Sequence, residues 1–210
     1  MEPALSLSTA LGIGFSCGLN LYATVLCVGL GVHFGFIPTD GGFAGLAVLG
    51  EPWVLAIAGV GFIVEFFADK FPLVDSTWDA VHTFVRPIGA IVFAFGAYSE
   101  LDPAIELVLI MLCGGVALAS HTSKSTARLV ANASPEPFSN IALSIAEDIA
   151  AVVVAVLAFV APILVICAVT VFVLLFVWLS PKIFRVLRGA YRRMQRRRKS
   201  AVGGDGGAGA

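Results

Sequence analysis

Long apolar runs separated by short polar breaks set the pattern of this chain. A bilayer span needs about 20 mostly apolar residues, and six stretches come near that length or exceed it. The first runs from Leu5 to Phe34 and is long enough to be broken in its middle. The second runs from Trp53 to Asp69 and the third from Thr83 to Tyr98. The fourth covers Ala104 to Ser120, with a polar helical continuation to Asn132. The fifth covers Phe138 to Val160 and the sixth Pro162 to Leu179. Backbone groups in lipid must pair inside their own element, which leaves helices or a closed barrel. Barrel strands alternate polar and apolar positions, whereas these runs are continuous and rich in Ala, Leu, Val and Gly. The pattern predicts an all-α polytopic membrane protein of about six transmembrane helices within residues 1–180.

Composition agrees. Apolar residues make up 59% of the chain and charged residues 13%, about half the charge of a soluble domain. Charge also orients the spans. Nine of the 13 Lys and Arg lie between Lys182 and Lys199. With the N-terminus inside, the cytoplasmic segments hold those nine together with Lys70, Arg86, Lys124 and Arg128, which is every cation in the chain. The opposite side holds Asp40, Glu51, Glu100 and Asp102. By the positive-inside rule both termini are cytoplasmic. Residues 181–199 read as a basic cytoplasmic helix, with Arg185, Arg188, Arg192 and Arg196 on one face. That helix serves either as a topology anchor or as a surface for anionic lipid. Residues 200–210 are Gly-rich and expected to be disordered. The first segment has no basic n-region and no clear cleavage site, so it reads as a retained span. Cys17, Cys27, Cys113 and Cys167 sit in apolar stretches without metal-type spacing and read as small buried residues.

The two halves resemble each other. Gly12, Gly14 and Gly18 precede Asn20, as Gly114 and Gly115 precede His121. An acidic-proline-aromatic step then follows in each half, Glu51-Pro52-Trp53 and Glu136-Pro137-Phe138. Each step opens a span that carries acids, Glu65 and Asp69 in one and Glu147 and Asp148 in the other. Repeat one would cover residues 5–98 and repeat two residues 104–180. Three spans per repeat is an odd number, so the repeats would be inverted, with a site near the midplane where they meet.

Ionisable groups inside a membrane are costly and face a partner or a cavity. Four polar stripes stand out. Glu65 and Asp69 share one helical face, as do Asp75, Asp79, His82 and Arg86 on a short amphipathic element from Val74 to Val85. His121, Ser125, Arg128 and Asn132 form the third stripe, with Lys124 beside them, and Asn140, Ser144, Glu147 and Asp148 form the fourth. These groups either pair with one another and fix helix contacts, or line a cavity for a small solute, an ion or a lipid headgroup. In the second case Glu65, Asp69, Glu147 and Asp148 supply coupling or cation binding. Arg86, Lys124, Arg128, His82 and His121 then supply substrate contacts or gates. Asn20 either offers backbone at a helix break or makes an interhelical hydrogen bond.

Other apparent motifs read as incidental. Gly14-Phe15-Ser16-Cys17-Gly18 has the G-x-S-x-G form, but it lies in an apolar helix rather than a strand-turn-helix. Asn132-Ala133-Ser134 has the glycosylation form but falls on the cytoplasmic side. His33 reads as structural, and Trp53, Trp78, Trp178, Tyr22 and Tyr98 as interface anchors or packing.

Three segments carry a family resemblance. They are Gly18-Leu19-Asn20-Leu21-Tyr22, Val64 to Lys70 and Asp75 to Pro87. The second half adds His121, Lys124, Arg128, Asn132 to Pro137 and Ser139-Asn140. Together they resemble the bacterial integral-membrane family catalogued as domain of unknown function 4126, over about Leu5 to Leu179. The resemblance implies a bacterial inner-membrane protein and supplies no activity. The expectation is therefore a small secondary transporter or flippase-like carrier. A non-transporting scaffold or accessory subunit is the alternative, and an intramembrane lipid-modifying enzyme comes third. No enzyme activity, metal site, cofactor or nucleic-acid partner is expected. Membrane lipids are expected partners, and the exposed helix faces leave room for a homodimer.

Overall fold

The computed structural model describes residues 3–39, 41–132 and 137–203, with side chains placed for 4–39, 43–71, 74–129 and 141–185. Seven α-helices follow in order: α1 (Pro3–Leu19), α2 (Leu21–His33), α3 (Pro52–Ala68), α4 (Pro72–Tyr98), α5 (Pro103–Asn132), α6 (Pro137–Val160) and α7 (Pro162–Gly203). A 3-10 helix, Gly41–Gly50, lies between α2 and α3. Every α-helix except α2 begins on a proline. Proline lacks an N–H that would be unpaired at the first helical position anyway, and its φ is already helical. Helix α2 instead starts at Asn20, whose backbone is extended (φ −150°, ψ 104°) and whose Oδ1 accepts from Ala23 N at 2.8 Å.

Four helices are long and apolar enough to cross a membrane, within α4, α5, α6 and α7. The 3-10 helix and α3, bent by 73° at their junction, make a fifth if counted as one broken span. The first apolar run is divided at Asn20 into α1 and α2, each too short to be counted as a crossing alone. Against the expected six spans, the described residues thus give four helices of crossing length, or five with the bent pair, and one divided apolar segment.

Two boundaries differ from the sequence reading. The amphipathic stretch from Val74 to Val85 is not a separate element, because α4 continues from Pro72 through Pro87 to Tyr98. Likewise the sixth span and the basic segment form one helix, with Pro181 inside it, and helix rather than disorder continues to Gly203. A proline inside a helix removes one hydrogen bond but does not end a helix that neighbouring groups support. The expected disorder of residues 204–210, the Asn132-Ala133-Ser134 site, the side chain of Asn140 and the shared face of Arg188, Arg192 and Arg196 lie outside the described residues.

The chain divides into two compact units, Met1–Thr170 and Val171–Ala210. In the first, the core is built of small residues, including Ala10, Ala90, Ala94, Ala97, Ala117 and Ala155 with Ile13, Cys17 and Cys113. Small side chains let helix axes approach closely, the usual device where lipid provides no hydrophobic drive between helices. Gly14 and Gly18 serve this contact. A Cβ on Gly14 would stand 2.5 Å from Cys113 O, and one on Gly18 would stand 1.8 Å from Ser120 Oγ and 2.3 Å from Ala117 O. The G-x-S-x-G segment is therefore a packing surface of α1 against α5. Tyr98 is fully buried, its hydroxyl 2.9 Å from Thr9 Oγ1 and 3.2 Å from Ser6 O. Trp53 is 60% exposed and, in the second unit, Trp178 is 59% exposed. Cys167 is exposed, unlike the buried Cys17 and Cys113 and the half-buried Cys27. The sequence reading of four buried thiols is corrected at Cys167, because an apolar helix also presents residues on its outer face. His33 meets Gly50 O at 2.9 Å and ties the end of α2 to the end of the 3-10 helix.

Candidate functional site

The break at Asn20 organises a buried polar cluster. In an unbroken helix the carbonyls of Gly18 and Leu19 would accept from residues four positions on. Here the Asn20 side chain takes the Ala23 N–H, which leaves carbonyls at the end of α1 needing donors. Arg86 Nη1 donates to Gly18 O at 2.9 Å, and Lys124 Nζ donates to Leu19 O at 2.8 Å. Two cations thus sit at the negative end of the α1 dipole. At the positive end of α2, Asn20 Nδ2 donates to Asp148 Oδ1 at 2.8 Å.

From this junction ion pairs spread across α3 to α6. Arg86 on α4 reaches Glu65 Oε1 at 2.7 Å and Asp79 Oδ1 at 3.9 Å. Lys124 on α5 lies 3.1 Å from Asp69, 3.6 Å from Glu65 and 3.7 Å from Glu147. Arg128, one turn further, donates from Nη2 to Asp69 Oδ2 and to Glu147 Oε2, both at 2.7 Å, and from Nε to Glu147 Oε2 at 3.0 Å. Its Nη1 donates to Asp69 O at 3.2 Å and to Asp75 Oδ1. One guanidinium therefore gathers the C-cap of α3, the first turn of α4 and the middle of α6. Lys70, in the turn between α3 and α4, donates to Phe66 O at 2.8 Å and lies 3.1 Å above the Phe66 ring. Partial burial lowers its pKa from the usual lysine range.

The two histidines occupy different settings. Arg86 Nη1 is 2.8 Å from His121 Nδ1. A guanidinium only donates, so Nδ1 is the acceptor and the ring proton is on Nε2. That proton faces Thr83 Oγ1 at 3.1 Å and Asp79 O at 3.2 Å. His82 donates from Nδ1 to Trp78 O at 2.9 Å. Its ring stacks on Trp78 at 4.4 Å and meets the edge of Tyr22 at 5.9 Å.

All twelve residues singled out in the sequence fall in this region and none is more than 7% exposed: Asn20, Glu65, Asp69, Asp75, Asp79, His82, Arg86, His121, Lys124, Arg128, Glu147 and Asp148. Thr83 was not singled out, although it lies four residues after Asp79 on the same face of α4. Ser125 Oγ donates to Asp79 Oδ2 at 3.0 Å, and its place in the third stripe was the available signal. The carbonyls of Gly18 and Leu19 left no trace in the residue types.

Six buried carboxylates in the cluster face three buried cations, Arg86, Lys124 and Arg128, with the partly exposed Lys70 acting on Asp69 and Asp148 from the edge. No group of three or more His, Cys, Asp or Glu suited to a metal ion occurs among the described residues. Two cavities nearby are lined by apolar side chains. One, of about 700 Å³, lies between α2 and α6 with Phe62 of α3. The other, of about 360 Å³, lies among α2, the 3-10 helix, α3 and α4.

Fold and site together define a multi-pass helical membrane protein with a buried charge cluster at a helix break. The chain belongs to the family described as Domain of unknown function (DUF4126), whose model matches residues 7–182. No curated protein and no solved structure matches it.

Proposed function

We propose that this chain is a small secondary carrier or flippase-like protein of a bacterial inner membrane, and not an enzyme. In this reading it has six spans in two inverted repeats and keeps both termini in the cytoplasm. The observation that carries it is the charge imbalance at the helix break, where six buried carboxylates face three cations. Unbalanced charge is costly in a low-dielectric interior. Uptake of protons or of a cationic group by these acids is correspondingly favourable. Broken helices at a polar site, with repeats on either side, recur in secondary transporters. Lys124 lies within 3.7 Å of acids on two different helices, Glu65 of α3 and Glu147 of α6. Protonation of either acid would shift it toward the other and loosen its hold on Leu19 O.

One observation favours the alternative of a non-transporting scaffold or accessory subunit. Arg86, Lys124 and Arg128 are all paired, and the adjoining cavities are apolar. Proton uptake by proteoliposomes containing the purified chain separates the two. The assay is run against pools of small solutes, metal ions and lipid phosphates, with native protein and the Glu65→Gln/Glu147→Gln variant. A substrate-dependent pH change lost in the variant supports the carrier. Unchanged coupling in the variant removes these acids from that role, and silence of a folded native protein against every pool favours the scaffold.

A further inference from the structure

Contacts within the first unit fix the direction of each helix, and α1 and α2 run opposite ways. Thr9 of α1 meets Tyr98, at the end of α4, at 2.9 Å, whereas Gly18 O meets Arg86, in the middle of α4, at 2.9 Å. Against α6 the order is the same: Ser8 Oγ donates to Ala158 O at 2.9 Å, and Asn20 reaches Asp148 at 2.8 Å. Helix α1 therefore starts at the end of the bundle marked by Tyr98 and Ala158 and runs to the charge cluster. Helix α2 runs back. It begins beside α4 at Gly89, where a Cβ would stand 2.8 Å from Leu21 Cδ1. Its far end meets the 3-10 helix through His33 and Gly50. That short helix lies at the Tyr98 end, since a Cβ on Gly45 would meet Gly96 O and the Phe43 ring is 5.8 Å from Phe159.

Neither arm is long enough to cross. Helices α1 and α2 have 17 and 13 residues and rise about 25 Å and about 20 Å, less than the roughly 30 Å of a hydrocarbon core. Arg86, level with the break at Asn20, lies 12 residues before Tyr98 and 14 after Pro72. The break therefore stands near half depth along α4. Irregular backbone at that depth is tolerated only inside protein. Asn20 is fully buried, and Arg86 and Lys124 cap the carbonyls of Gly18 and Leu19. The cations do not place the N-terminus on either side, because no Lys or Arg precedes Lys70.

We propose that α1 and α2 form a re-entrant hairpin that enters from the side of Ser99, keeps the N-terminus on that side and plugs the bundle there as far as the charge cluster. Five crossings then follow, the bent pair and α4 to α7. The chain starts outside and ends in the cytoplasm, where its nine tail cations belong. On the number of crossings and the side of the N-terminus the hairpin replaces the reading above. As the outer closure of a carrier it rests on that reading, whereas the hairpin itself is tested without transport, so the two stand or fall separately.

The test labels single cysteines in the full chain, otherwise stripped of cysteine, with a membrane-impermeant maleimide on spheroplasts and on opened membranes. Ala4→Cys and Phe36→Cys probe the exposed start of α1 and the exposed residues beyond α2, and Ser99→Cys and Phe71→Cys mark the two sides. Both probes should label from the Ser99 side. A single span from Leu5 to Phe34 would put Ala4 on the side of Phe71, and labelling of either probe from that side overturns the proposal. Sides are read against the two markers, so the hairpin is decided even if Ser99 proves cytoplasmic. An epitope tag ahead of Met1 answers for the N-terminus if Ala4→Cys does not fold. Cys17, kept as the only cysteine, is fully buried near the tip and should react from the Ser99 side at least about tenfold more slowly than Phe36→Cys, because a thiol must be reached to react. A smaller difference overturns the plug.

Discussion

Arg128 offers the sharpest test of how the cluster holds the helices. Replacing it with Met keeps much of the volume of the stem and removes five hydrogen bonds to Asp69, Asp75 and Glu147. Removing one partner of a buried ion pair costs about 3–5 kcal/mol, because the charge left behind is unpaired. Three acids lose a partner here, but the cost is not three times as large. Lys124 still lies 3.1 Å from Asp69 and 3.7 Å from Glu147, so the loss falls near that of one uncompensated charge. For a chain of this size each kcal/mol corresponds to about 2–4 °C in Tm, so Arg128→Met should lower Tm by about 6–20 °C. Thermal unfolding in detergent micelles, followed by tryptophan fluorescence, reads the change. Arg185, exposed on α7, is the control, and Arg185→Met should shift Tm by no more than about 2 °C. Adding Glu147→Gln to Arg128→Met should recover part of the loss, since it removes one of the stranded charges. A drop for Arg128→Met no larger than that of the control would refute the view that this guanidinium ties the helices together.

Three further outcomes follow from particular contacts. Gly18→Ala should destabilise by about 1–3 kcal/mol through overpacking, because its Cβ would meet Ser120 Oγ and Ala117 O. Gly115→Ala, where a Cβ meets nothing within 4 Å, should be neutral or slightly stabilising in the same thermal assay. Tyr98→Phe removes the contacts to Thr9 and Ser6 and should cost about 0.5–1.5 kcal/mol, the net value of a hydrogen bond, because Thr9 Oγ1 keeps its bonds to Leu5 O and Ser6 O. In a chain stripped of its four cysteines, Ser99→Cys should react with a membrane-impermeant thiol reagent from outside the cell, and Phe71→Cys only after the membrane is opened. The reverse labelling pattern would overturn the orientation read from the cations.

The sequence by itself determined the class and the polar inventory. Lipid forces backbone pairing within each element, so long apolar runs can only be helices, and prolines at run starts mark where those helices begin. Charges that survive inside such runs need a reason to be there, and helical spacing sorted them into faces. That is why Glu65 and Asp69, or Asp79, His82 and Arg86, could be grouped before any contact was known. Spacing cannot say which face meets which. The gathering of Asp69, Asp75 and Glu147 around Arg128 depends on how α3, α4, α5 and α6 meet, across separations of up to 59 residues, and residue types do not encode that meeting. Nor could they encode the use of Arg86 and Lys124 as caps for Gly18 and Leu19, since carbonyls are common to every residue. The continuity of α7 through Pro181 was hidden because proline weakens a helix locally while its surroundings decide whether it ends, and the joining of Val74–Val85 to the third span was hidden by the change from a polar to an apolar pattern. The apolar cavity between α2 and α6 was equally hidden, because a cavity is a property of how helices pack and not of any one of them.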